Sequence, residues 1–374
     1  MKKNITLLTC ILTAVSMLSG CGSTQKKSSV EVSDPEYYQK FAGQGMSINV
    51  YNWGEYIADG SEADIIDVNG EFEALTGIKV NYTTYATNEE LYAKMKGGGA
   101  DYDIIIPSDY MIARMIKEDM LTPLDYSLIP NSEYIMDSFK NPLYDSGSAY
   151  SVPYTWGTVG IIYNKNYVDE EDIDWDILWD EKYSDKILMF DNPRDAFAIA
   201  ELLLGYSLNT ENPDELKAAA NKLTEQKKLV QAYVMDEIFD KMGAEEAYLA
   251  PYYAGDAITL MNDYDYIDIS IPKSGTNKFV DAICIPKTSQ KAEAAHMYIN
   301  FLMEPEIALA NCEYIGYSTP HKEAYEMLDD EVKNNKISYP DEDYLENKST
   351  FFANLSDDAN QLMQDLWTSM KSSN

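Results

Sequence analysis

Trp53, Glu55 and Tyr56 stand together, and similar groups recur at Ser108-Asp109-Tyr110, at Asp191-Asn192 with Asp195, at Gly255-Asp256 and at Phe279-Val280-Asp281. Arg194 is the single base among these segments. Rings and carboxylates without balancing bases suit an alkylammonium. Ring faces attract the cation and pack its methylenes, while carboxylates accept charged hydrogen bonds from its ends. Glu55 with Asp281, or Asp195 with Asp281, could also serve as the acid and base of a glycoside hydrolase. Nothing in the sequence fixes their separation, and no nucleophile motif or phosphate-binding glycine loop accompanies them. With only His296 and His321, and no paired ligand spacing, neither a metal nor a cofactor is expected. Binding without catalysis is the expectation.

The elements around these groups alternate between strand and helix. Ser47–Tyr51, Ile78–Tyr82 and Tyr102–Ile106 read as strands, the triple Ile of the last arguing for burial on both faces. Helices are predicted over residues 61–76, with Gly77 as the stop, and from the cap Thr87 or Asn88 to Gly97-Gly98-Gly99. Further strands are predicted at 160–163, 187–190, 248–253, 267–271 and 282–285. Helices are predicted at 196–204, 215–229, 291–303 and 360–370, with a turn or helix at 175–179. This alternation means α/β. In open α/β sheets ligands sit beyond the carboxyl ends of strands, which is where most of the acidic and aromatic groups fall.

The first residues resemble a secretory signal. Lys2 and Lys3 precede an apolar stretch from Ile5 to Leu18, too short to span a bilayer. Leu18-Ser19-Gly20-Cys21 resembles a bacterial lipobox, so residues 1–20 are expected to be cleaved and Cys21 lipidated, anchoring the chain outside the cytoplasm. Residues 21–45 read as anchor and linker. The remaining chain exceeds what one core usually serves, so two lobes are expected. With 63 acidic against 29 basic residues the net charge is −34, which should repel nucleic acid and anionic lipid and attract cations. Cys284 and Cys312 remain after the signal, free to be a disulfide or two buried thiols.

In order along the chain stand Val50-Tyr51-Asn52-Trp53-Gly54-Glu55-Tyr56, Thr76-Gly77-Ile78-Lys79-Val80, Tyr102-Asp103-Ile104-Ile105-Ile106-Pro107-Ser108, Val152-Pro153-Tyr154-Thr155-Trp156-Gly157, Ile299-Asn300-Phe301-Leu302 and Ile315-Gly316-Tyr317-Ser318-Thr319-Pro320. This series, over about residues 47–340, resembles the spermidine/putrescine-binding proteins of bacterial ABC importers. The resemblance implies a two-lobed periplasmic-binding-protein-like α/β fold. The first lobe would take 46–155 and 282–326, and the second 156–281 and 327–374, with the ligand cleft between them. It implies ligand contacts at Trp53, Glu55, Tyr56, Ser108, Tyr110, Asn192, Asp195, Tyr253, Phe279, Asp281 and Tyr317. It also implies a monomer that hands spermidine or putrescine to permease subunits, with no nucleic-acid partner. The family's Asp, Glu and two Trp are here Asn192, Asp195, Tyr253 and Phe279, so an amino acid derivative or a sugar stays open as an alternative ligand.

Overall fold

A computed structural model describes residues 28–62, 64–98, 101–169 and 171–372; the signal segment and Cys21 lie outside the described residues. The strands are β1 (Ser47–Trp53), β2 (Lys79–Tyr85), β3 (Ile104–Ile105), β4 (Ser151–Asn164), β5 (Ile187–Phe190), β6 (Val230–Val234), β7 (Leu249–Tyr253), β8 (Ile267–Ser270), β9 (Thr276–Cys284) and β10 (Ser349–Phe351). They pair in the order β2-β1-β3-β9-β4-β7-β5-β6, with β10 on β9 and β8 on β4. β1 runs parallel to β2 and β3, and β5 parallel to β6 and β7. Between these parallel sets lie the antiparallel strands β4 and β9.

Two bodies form because the apolar residues close into two main cores. Ile48, Val50, Phe72, Ile104, Ile283 and Phe301 belong to the first. Ile161, Trp175, Ile187, Phe190, Phe197 and Leu249 belong to the second. β4 serves both, with Val152 and Tyr154 in the first core and Val159, Ile161 and Ile162 in the second. Its first half pairs with β9, and its second half with β7 and β8. Complete burial of a Phe or Ile side chain stabilises a body by roughly 1.5–3 kcal/mol. A third cluster lies on the other face of the first sheet, where Tyr51, Ile105, Tyr110, Ala282 and Cys284 meet Ala198, Leu208 and Phe352 of the second body. The triple Ile thus faces two clusters, with Ile104 and Ile106 in the first core and Ile105 in the third cluster.

Several elements depart from the sequence reading. The expected linker is packed structure from residue 28 onward. Asp34 caps a helix Pro35–Tyr38, and Tyr38 and Phe41 join the first core. Tyr38 Oη donates to buried Glu304 at 2.6 Å, and the Ser33 backbone N–H and hydroxyl donate to the same carboxylate at 3.0 and 2.9 Å. Polar composition hid this, because the partners lie far along the chain. The helix expected over 61–76 is confined to Val68–Thr76, since Asp67 caps it by accepting from Gly70 N–H, while Gly77 closes it in the left-handed region. Phe279, Val280 and Asp281 are not a loop before a strand; they lie inside β9. β6 was not anticipated. Cys284 and Cys312 are free and buried, and burial pushes both thiols up, Cys312 to about 12. Among the described residues, no helix is long and apolar enough to cross a membrane.

Candidate functional site

The loop after β1 is set by Asn52. Its Oδ1 accepts from Trp53 N–H at 2.9 Å and its Nδ2 donates to the Tyr56 carbonyl at 3.2 Å, closing a tight turn. Glu55 takes the left-handed conformation within it, at φ 47°. Gly54 lets Asp236 of the opposite body come close, since a Cβ there would stand 2.4 Å from Asp236 Oδ2 and push that carboxylate aside. After β3, Ser108 begins the helix Asp109–Lys117, and Asn88 secures it by donating to Ser108 Oγ at 3.0 Å and accepting from its N–H at 3.1 Å. Asp109 is buried, accepting from Tyr110 N–H at 2.6 Å and from Val280 N–H at 3.4 Å, so it ties that helix to β9.

On the second body, Asn192 follows β5 and caps the helix Pro193–Leu204 through Oδ1, which accepts from Arg194 N–H at 3.1 Å. That oxygen is therefore committed to the helix. Asp195 sits in the first turn of the same helix. Asp256 sits in the first turn of Ala254–Asp263, after β7. Gly255 admits the Tyr317 ring, which a Cβ would meet at 2.1 Å. Phe279 and Asp281 are two residues apart in β9 and so share a face.

These side chains line one cleft with an empty volume of about 670 Å³. Three aspartates in it are each held by a tyrosine hydroxyl. Tyr253 donates to Asp195 at 2.9 Å, Tyr317 to Asp256 at 3.0 Å, and Tyr56 to Oδ2 of Asp281. Tyr56 also meets the Thr155 hydroxyl at 2.7 Å. The rings themselves form a wall: Tyr56 to Tyr317 at 5.2 Å, Tyr317 to Phe279 at 5.9 Å, and Phe279 to Tyr253 at 5.4 Å. Trp53 leans on Tyr85 at 4.6 Å. Oδ1 of Asp281 and Nε1 of Trp53 are buried with no hydrogen-bond partner.

Burial dominates the electrostatics. It pushes Asp281 up to about 6, against the pull of the Ser108 and Tyr56 hydroxyls. It pushes Asp195 to about 7; there the Tyr253 hydroxyl and Arg194 pull down while Glu89 and Asp281 push up. Asp256 rises to about 8, with Asp236, Glu55 and Asp281 adding to burial. Asp281 thus adds to the rise of both other aspartates. The lining carries the carboxyl groups Glu55, Asp109, Asp195, Asp236, Asp256 and Asp281, and no Lys or Arg among the described residues. Such a cavity can hold a compact cation and pack a short hydrocarbon chain. Among the described residues, no group of His, Cys, Asp and Glu is arranged to hold a metal.

Every ligand-facing residue expected from the sequence lines this one cleft. Asp256 joins them from the strand-end position where the sequence places an acidic group. Asp236, Met235 and Phe239 were missed because β6, which delivers them, was not read as a strand. The alternation in Val230-Gln231-Ala232-Tyr233-Val234 was the available signal. Trp156 stays outside the cleft, packing on Phe139 and Tyr339 where β4 leaves the first body.

Residues 70–339 match the model of a family described as bacterial extracellular solute-binding protein. The spermidine/putrescine-binding periplasmic protein of Escherichia coli (strain K12) is 35% identical over 309 residues, covering 82% of this chain and 86% of that relative. The putrescine-binding periplasmic protein SpuD of Pseudomonas aeruginosa is 29% identical over 350 residues, covering 88% and 93%. Among solved structures, the spermidine/putrescine ABC transporter substrate-binding protein PotD of Streptococcus pneumoniae is 36% identical. It superposes with a TM-score of 0.72, covering 87% of this chain and 98% of that one.

Proposed function

The chain belongs to the bacterial extracellular solute-binding proteins, and from that premise we propose that its solute is a small polyamine of the spermidine/putrescine class. One observation carries this reading: six carboxyl groups and a wall of rings line a cleft that has no lysine or arginine in its lining. The carboxylate of an amino acid derivative would bring a negative charge into that environment and be repelled, and a neutral sugar would supply no positive charge to the carboxyl groups.

Asp281 is the central contact. Its Oδ1 is buried and unpartnered, and an ammonium placed there satisfies it with a charge-assisted hydrogen bond. Phe279, Trp53 and Tyr253 hold the methylene chain, each ring face near a cation adding about 0.5–2 kcal/mol. Asp195 and Asp256 receive the outer ammonium groups. Glu55, Tyr56, Ser108, Tyr110, Asn192 and Tyr317 complete the wall. Ligand bridges the two bodies and so favours the arrangement in which they meet, closure being driven by differential affinity. The bodies are two lobes, about 46–155 with 282–326 and about 156–281 with 327–374. The closed monomer docks on the permease subunits of an ABC importer, at the outer face of the membrane to which the Cys21 lipid tethers it.

Titration calorimetry of the purified, ligand-free protein with putrescine, cadaverine, spermidine and spermine tests this. Micromolar or tighter binding of at least one amine supports the reading and names the ligand. Folded protein that binds none of them removes the polyamine assignment while leaving the family in place.

A further inference from the structure

β9 has a cavity on each face. Phe279 and Asp281 face the cleft, and strand alternation turns their neighbours Lys278 and Val280 the other way. There Lys278 and Val280 line a second, open groove with an empty volume of about 1420 Å³. Residues 138–144 of the first body and 349–354 of the second bound it. Among the described residues, only Asp109 and Phe352 line both the cleft and this groove. The partition between the two spaces is therefore one carboxyl group and one ring. Asp109 is fixed by the N–H groups of Tyr110 and Val280. Phe352, 6% exposed, is held as firmly. It follows β10, which pairs with β9 as far as Phe351 opposite Lys278. Asn209 grips the backbone on either side of it: Nδ2 donates to the Phe351 carbonyl at 2.9 Å, and Oδ1 accepts from Ala353 N–H at 2.7 Å. The Arg194 guanidinium lies 4.4 Å from the centre of the Phe352 ring, and Tyr110 of the first body meets that ring edge to face at 5.8 Å. Arg194 precedes Asp195 on the helix Pro193–Leu204, so the ring stands at the Asp195 end of the cleft.

We propose that Phe352 is a specificity-determining residue: its ring is the end stop of the cleft and limits how far a bound chain extends past Asp195. The proposal rests on the polyamine reading. Carbon atoms beyond an ammonium held at Asp195 run into the ring. Replacing the ring by a methyl group leaves Asp109 alone in the partition and joins the cleft to the rear groove. A tail can then pass through. Lys140 and Lys278 line that groove, so it admits an uncharged tail more readily than one ending in an ammonium. Bound the other way round, an uncharged tail would lie against Glu55, Asp236 and Asp256, which take a cation instead. The intact protein therefore rejects such a tail at both ends.

The test compares wild type, Phe352→Ala, Phe352→Leu and Phe351→Ala. Phe351 lines the rear groove alone and is the control. Calorimetry gives affinity for putrescine, for N-butylputrescine, whose added tail is uncharged, and for spermine. Wild type is expected to bind N-butylputrescine at least about tenfold more weakly than putrescine. Phe352→Ala should shift that ratio toward the longer ligand by about tenfold, Phe352→Leu by about threefold, and Phe351→Ala not at all. Spermine should gain less than N-butylputrescine. A merely structural role for Phe352 would weaken all three amines by one factor and leave the ratios where they were. If Phe352→Ala does not fold, Phe352→Leu decides alone. Equal wild-type affinity for putrescine and N-butylputrescine, a ratio within twofold of wild type in the folded Phe352 variants, or an equal shift in Phe351→Ala each overturn the end stop. Wild-type protein that binds no amine overturns the polyamine reading and the end stop together, whereas wild-type binding with unmoved ratios overturns the end stop alone.

Discussion

The two ends of the cleft use the same pair of side chains, a tyrosine hydroxyl on an aspartate, in different electrical settings. At one end Asp195 is held by Tyr253, with Arg194 beside it on the same helix and the Tyr110–Phe352 contact sealing the seam. At the other, Asp256 is held by Tyr317, and its further neighbours are the carboxylates Asp236 and Glu55. Burial pushes both up, but the Tyr253 hydroxyl and then Arg194 limit the rise of Asp195 to about 7 against the push of Glu89, while like charges help carry Asp256 to about 8. The first end is partly neutralised by the protein itself. The second relies on the ligand for its positive charge.

Asp281 adds to the rise of both aspartates and should matter to both. Asp281→Ala is expected to cost about 2–5 kcal/mol of binding for every amine tested by calorimetry, since it leaves a buried ammonium unpaired. A loss below about 1 kcal/mol would show that Asp281 is not a shared contact. Next in size is the difference between the ends. Asp256→Asn should weaken putrescine by about tenfold or more and Asp195→Asn by less, because Arg194 already balances the latter. The opposite ranking breaks the comparison.

The pH dependence sharpens it. Asp281, Asp195 and Asp256 rise to about 6, 7 and 8 from an unfolded value of about 3.9. Raised folded values mean that the folded state binds protons more tightly. The stability they contribute is full below about pH 4 and is lost as pH rises through about 8. The Tm of ligand-free protein should therefore fall between pH 5 and 8. Binding should release protons, and affinity should increase from pH 6 to 8. Thermal melts, with calorimetry in buffers of different ionisation heat, measure all three. A ligand-free Tm that climbs over that range contradicts the assignment. The smallest effect is expected at Gly54. Gly54→Ala displaces the Asp236 carboxylate, because the new Cβ would meet it at 2.4 Å, and should weaken amines by no more than about threefold. A larger loss would mean that Asp236 holds the ligand directly.

Much of this cleft was legible in the sequence because its residues follow strands that the hydrophobic pattern marks. β1 announces Trp53 to Tyr56, and the triple Ile announces Ser108 to Tyr110. Legibility failed where the signal was not local. Phe279 and Asp281 are among the residues the sequence names, but their place is mid-strand rather than in a loop, since β9 continues between the two bodies and needs no turn at Asp281. Asp236 approaches Gly54 from the other body, a contact that no spacing along the chain encodes. Residues 34–41 looked like linker because their partners, Glu304 and the first core, lie far away in the sequence.

That last fastening determines how the molecule carries mechanical load. Ser33 and Tyr38 are moored to Glu304, and Asn300 Nδ2 holds the Tyr38 hydroxyl at 2.8 Å. A pull applied along the chain from the N-terminal side is taken up there, within the first body, before it reaches β4 or β9.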